Sequence, residues 1–175
     1  MTAPADPFEH ARAVADAVLY EGYVLYPYRA SARKNQHRWQ FGVLTSPRYA
    51  AAAGEPSRSQ TECLLEAGDA ATVRLRLRFL QVQRRLVEEA VDDSMFHPVD
   101  SLGVDDRVLS TWDETVEHAV DAELALPVLF RGEETVAVEV PGGCETEPVS
   151  DAAGRVVGRV VRRRWPISGR LRVSA

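Results

Sequence analysis

A chain of 175 residues with 45% hydrophobic and 27% charged side chains can bury one core and is too apolar to be disordered throughout. No apolar run reaches the roughly 18 residues of a membrane helix, and no basic-then-hydrophobic leader opens the sequence, so a cytoplasmic protein is expected. The net charge of −5 is unevenly divided, with +3 over residues 1–88, −15 over 89–151 and +7 over 152–175; the acidic middle would repel phosphates, which argues against a nucleic-acid partner and predicts that the basic segments pack beside it.

Residues 1–6 read as a disordered N-terminus. Asp6 before Pro7 is a helix cap followed by a proline at the first helical position. Phe8, Ala11, Val14, Ala15, Val18 and Leu19 then recur at helical spacing, so an amphipathic helix is expected from Pro7 to Tyr20. Four of the five tyrosines follow within nine residues, at Tyr20, Tyr23, Tyr26 and Tyr28. Such density suits either a wet core edge or a binding surface. Residues 29–38 (RASARKNQHR) are basic and nearly devoid of apolar side chains, and form an exposed or partner-docking loop with Arg29, Arg33, Lys34 and Arg38 as donors.

Trp39–Leu44 alternates large apolar residues and predicts a strand, Ala50–Ser59 a flexible stretch, and Thr61–Glu66 a second short strand. From Val73 to Phe79 the alternation is faultless, with Val73, Leu75, Leu77 and Phe79 on one face and Arg74, Arg76 and Arg78 on the other. Leu80 falls out of phase and predicts a bulge, with the strand continuing towards Val87. The arginines are expected to face acidic residues of a neighbouring strand such as Asp113, Glu117 or Asp121. Residues 89–106, rich in Asp, Pro and Gly, read as a loop. Residues 107–124 fit both periods, and the strand reading is preferred because the neighbours are strands. Strands are expected at Glu134–Val140 and Arg155–Trp165, turns at Pro141-Gly142-Gly143 and Ala153-Gly154, and a last strand from Gly169. That strand ends without a polar tail, which suggests further sequence beyond it or an edge meant for another chain. The expected fold is mainly β: a single domain over 7–175, an antiparallel β-sandwich or open barrel of about seven to nine strands with an N-terminal helix, or α+β if 107–124 is helical.

The chemistry-bearing residues form no recognisable constellation. His10, His37, His97 and His118 are scattered, and Cys63 and Cys144 lie far apart outside any CxxC pair, so no metal site or cofactor is expected and both thiols are read as reduced. No nucleophile, zinc or phosphate-loop motif is present in the sequence, and the acid pairs Asp92-Asp93 and Asp105-Asp106 are adjacent, which points their side chains apart. A non-catalytic protein is the expectation.

The stretch Leu19–Leu44, with its Tyr-Glu-Gly-Tyr-Val-Leu-Tyr-Pro-Tyr-Arg and Lys-Asn-Gln-His-Arg-Trp-Gln-Phe-Gly segments, resembles a signature of uncharacterised bacterial proteins encoded in NiFe hydrogenase gene clusters, notably those of actinobacterial uptake enzymes. Ser59–Cys63 and Val73–Phe79 also look like that family, so the likeness covers residues 19–80. It implies an accessory or scaffold protein that contacts a hydrogenase subunit or maturation protein. Tyr20, Tyr23, Tyr26, Tyr28, Arg29, Lys34, Asn35, Arg38 and Trp39 are the candidate partner-binding residues. The alternative it leaves open is a small-ligand or metal-handling maturation factor in which the fold brings together Cys63, His37 and Cys144.

Overall fold

The computed structural model describes residues 6, 8–20, 43–68, 70–92 and 94–175. The chain divides into two compact units, Met1–Pro27 with Ala70–Ala175, and Tyr28–Asp69. The expectations for residues 21–38 and for the start of the strand at Trp39 lie outside the described residues.

The larger unit is mainly β, as expected, with nine strands among the described residues and every paired strand antiparallel. Its spine is β1, Thr72–Ala90. Along one edge β1 pairs first with β5 (Trp112–Ala125) and then, near its end, with β2 (Phe96–Val99). The hairpin of β3 (Ser101–Val104) and β4 (Arg107–Ser110) is inserted between those two partners. Thr111 closes the base of this insertion: its N–H donates to Asp100 O at 2.9 Å, its hydroxyl donates to Val99 O at 2.7 Å, and Val87 N–H donates to the same hydroxyl at 2.9 Å. Asp105 takes φ 51° in the hairpin turn, a left-handed conformation that Asp tolerates.

The loop expected at 89–106 is therefore replaced by β2 and β3; the Asp, Pro and Gly residues that suggested a loop occupy edges and tight turns of a ladder. Residues 107–124 are strand, as preferred. No bulge interrupts β1 at Leu80, because its register with β5 is unbroken from Thr72 to Arg85. The face that carries Val73, Leu75, Leu77 and Phe79 simply continues with Gln81, Gln83, Arg85 and Val87, so polar side chains enter the interior where the hydrophobic period breaks.

On the other edge of β1 lies β8 (Val156–Arg164), followed by β7 (Gly143–Ser150), joined through the hairpin turn at Asp151–Gly154. The ribbon extends into β6 (Glu134–Val140) and β9 (Ile167–Val173), which continue the register of β7 and β8. Between the two halves Pro141 and Pro166 lack the N–H groups a ladder needs. The expected turn at 141–143 is thus a bend within a long ribbon. Gly142 makes the bend possible: a Cβ there would lie 2.9 Å from Arg164 O and 2.9 Å from Pro166 Cδ.

Two elements cover the faces of this sheet. On the inner face, β3 and β4 pack Leu102 and Val104 against Val87, Val149 and Val160, the buried core. Gly158 permits the closest approach, since a Cβ would come within 2.4 Å of Glu88 O and 2.6 Å of Leu102 Cδ2. On the outer face lies α1, Glu9–Tyr20, which has no buried residue and leaves Val14 and Val18 70% exposed or nearly so. A short helix α3 (Leu126–Leu129) buries Leu126 and Leu129, with Leu126 N–H donating to Ala71 O at 2.8 Å.

In the smaller unit, α2, Pro47–Ala53, takes up the first four residues of the stretch expected to be flexible; it is capped by Ser46 and ended by Gly54 at φ 74°. Ser46-Pro47 before four alanines and Gly54 was the available signal for it. Residues 61–66 form no strand, nor do Val43 and Leu44. Leu64 and Leu65 are exposed, and no neighbouring strand offers Thr61–Glu66 a ladder among the described residues.

Candidate functional site

Of the sequence-predicted contact residues, Tyr20 is described and the other eight lie outside the described residues. Tyr20 is the last residue of α1, and its hydroxyl donates to Glu117 Oε2 on β5. That carboxylate also takes Arg78 at 2.5 Å, and Arg78 in turn contacts Asp16 of the helix at 2.6 Å. One rung along, Arg76 is held by Asp121 at 2.7 Å and by Asp6 at 2.8 Å, and stacks over the Phe8 ring at 4.7 Å. Arg74 takes Glu123 at 2.8 Å. The arginines of β1 thus face the acidic strand β5, as their alternation predicted, and the helix joins the same charge lattice through its polar side.

The ionisation follows from these contacts. The Tyr20 hydroxyl, then Arg78, holds Glu117 below its ordinary value, and Glu117 pushes Tyr20 up. Hydrogen bonds from Arg76 keep Asp121 and Asp6 low, and the carboxylates raise Arg76 and Arg78 in return.

The inner face carries a second network that periodicity did not reveal. Gln81 and Gln83 are buried, at 2% and 7% exposure. Gln81 donates to Trp165 O at 2.7 Å and reaches Pro141 O at 3.4 Å, so its amide serves carbonyls at the bend of the ribbon. Its oxygen pairs with His118 Nε2 at 2.9 Å, and that imidazole lies 5.6 Å from the Phe79 ring opposite it. Gln83 donates to Glu114 at 2.6 Å and accepts from Arg164 at 3.0 Å. Glu114 lies between Arg85 (3.6 Å) and Arg162 (3.3 Å), while Arg162 also donates to Glu147 at 2.9 Å and holds it low, and Arg164 donates to Glu145. The signal for this cluster was present as Gln81-x-Gln83-x-Arg85, in phase with the apolar face of β1.

Cys63 and Cys144 are exposed, Cys63 in the smaller unit and Cys144 on β7, and His37 is outside the described residues. Among the described residues no group of three or more His, Cys, Asp or Glu side chains is placed to hold a metal ion. No helix among them is long and apolar enough to cross a membrane. Comparisons with protein-family models, curated protein sequences and solved structures return no match.

Proposed function

We propose that the chain is a non-catalytic accessory or scaffold protein of a NiFe uptake hydrogenase in the cytoplasm. It acts by protein–protein contact through Tyr20, Tyr23, Tyr26, Tyr28, Arg29, Lys34, Asn35, Arg38 and Trp39. The partner class comes from the resemblance of Leu19–Leu44 to hydrogenase-cluster proteins, and the mode of action from the side chains themselves, since tyrosine, tryptophan and arginine dominate interface hot spots. The observation that carries the reading is the anchoring of Tyr20: where the aromatic stretch begins, its hydroxyl is bound to Glu117, inside a lattice that also holds Arg78 and Asp16. A contact residue ordered before binding loses less freedom on binding. The same lattice supports a non-catalytic role, because its perturbed groups owe their shifts to hydrogen bonds within the fold, from Tyr20 and then Arg78 at Glu117 and from Arg76 at Asp121.

Affinity purification of the tagged protein from its native host, with mass spectrometry of the eluate, tests this. Hydrogenase subunits or a maturation protein in stoichiometric amount are expected, and replacing Tyr26 and Arg38 together by alanine is expected to remove them. Elution without hydrogenase components, or retention of them by the double variant, contradicts it.

A further inference from the structure

Where β1 and β8 lie side by side, the sequence twice sets arginine directly opposite arginine: Arg85 faces Arg162 on the inner face, and Arg84 faces Arg163 on the outer. Like charges directly opposed weaken a ladder. The inner pair is bridged by the chain's own Glu114, with Oε1 3.6 Å from Arg85 Nε and Oε2 3.3 Å from Arg162 Nε, and Glu147 adds a second carboxylate at 2.9 Å. The outer pair is treated differently. Asp113 reaches Arg84 at 3.8 Å, and no carboxylate among the described residues pairs with Arg163. Cys144 stands opposite Arg163 on β7, and on the same face exposed Val82 and half-buried Leu86 flank Arg84 while Val161, two residues from Arg163, is buried. Both guanidinium groups are exposed, Arg84 by 49%. Elsewhere on this face Arg74, Arg76, Arg78 and Arg159 each hold a carboxylate at 2.8 Å or closer.

We propose that Arg84 and Arg163 bind a carboxylate presented by an acidic segment of a partner protein. The inner pair supplies the template, one Glu side chain lying between two facing guanidiniums. A guanidinium matches a carboxylate through two parallel N–H donors, which fixes the orientation of the incoming side chain. The apolar side chains around the couple suit the stem of a Glu or Asp and its polypeptide better than a free ion. This assignment rests on the interaction role proposed above and adds the chemistry of the partner's surface.

The test is anisotropy titration of a labelled hexaglutamate peptide with the full chain at fixed ionic strength. Arg163→Gln and Arg84→Gln are each expected to weaken binding about tenfold, and Arg170→Gln, an exposed arginine of β9, to leave it unchanged. Removing the like-charge contact is also expected to raise the Tm of the peptide-free Arg163→Gln variant by about 1–3 °C at low salt, while the same concentration of peptide raises the Tm of wild type more than that of the variant. Absence of binding to wild type, or binding unaffected by Arg163→Gln, overturns the site; displacement of the peptide by an equal concentration of inorganic phosphate overturns its assignment to a protein carboxylate. Purification of Arg163→Gln from the host separates the two proposals. Undiminished hydrogenase recovery defeats this site and leaves the accessory role intact, whereas peptide binding that depends on Arg163 in a protein recovering no hydrogenase does the reverse.

Discussion

The hairpin on the inner face and the helix on the outer face cover the same sheet by opposite means. The β3–β4 hairpin buries Leu102 and Val104 against Val87, Val149 and Val160 and depends on burial of apolar area. Helix α1 buries nothing completely; it is held by Asp6, Asp16 and Tyr20 on Arg76, Arg78 and Glu117, with Phe8 beneath a guanidinium, while Val14 and Val18 face outward. Apolar burial is not weakened by ionic screening and depends little on pH, whereas exposed ion pairs are screened and titrate. The sheet therefore has one cover that unfolds with it and another that can be released while it remains intact.

The largest effect is expected from Leu102→Ala, which empties the hairpin's main contact and should lower unfolding stability by about 2–5 kcal/mol in urea titration; a loss below about 1 kcal/mol would mean that the hairpin is not part of the core. Gln81→Leu should be next, at about 1–3 kcal/mol, because it leaves the Trp165 carbonyl and the His118 ring without a partner. An unchanged urea midpoint would show that the bend does not need this amide. The smallest global effect, with the clearest local one, belongs to pH. Glu117, Asp121 and Asp6 have lowered values, so their contribution is complete above the ordinary carboxylate values of 4.5 and 3.8 and is lost as pH falls below them. Tyr20 is raised, so its contribution is complete below the ordinary 10.0 and is lost at higher pH. A fluorescent probe at Val18 should report an attached helix above about pH 4.5 and release below it, before the sheet's circular dichroism changes, with only the last turn loosening above about pH 10 because Asp6 and Asp16 still hold Arg76 and Arg78. Simultaneous loss of both signals would break the distinction between the two covers.

The strands with unbroken period-two alternation were legible in sequence, and so was the pairing of the β1 arginines with Asp121 and Glu117. What sequence concealed were the places where polar residues do interior work. Gln81 and Gln83 are buried because each meets hydrogen-bond partners distant in sequence, Trp165 for Gln81 and Glu114 and Arg164 on the flanking strands for Gln83, and hydrophobic periodicity cannot register such partners. Strands β2 and β3 were hidden by the Asp, Pro and Gly content of 89–106, since a strand only four residues long carries too few side chains to outweigh its turns. The helix was found, and its apolar periodicity was right in part: Phe8, Ala15 and Leu19 are half-buried, whereas Val14 and Val18 of the same set are exposed. The sheet beneath it is lined with arginines, so Asp16 and Tyr20 turn inward and Val14 and Val18 turn out.

Hydrogen–deuterium exchange of α1 and β1 amides, compared at about 20 mM and about 500 mM NaCl, tests most directly whether charge alone attaches the helix. Exchange in Glu9–Tyr20 is expected to quicken about tenfold at the higher salt, while Gln81–Val87 remains as protected as before. Equal protection of the helix at both concentrations would contradict the account and show that apolar contact holds it.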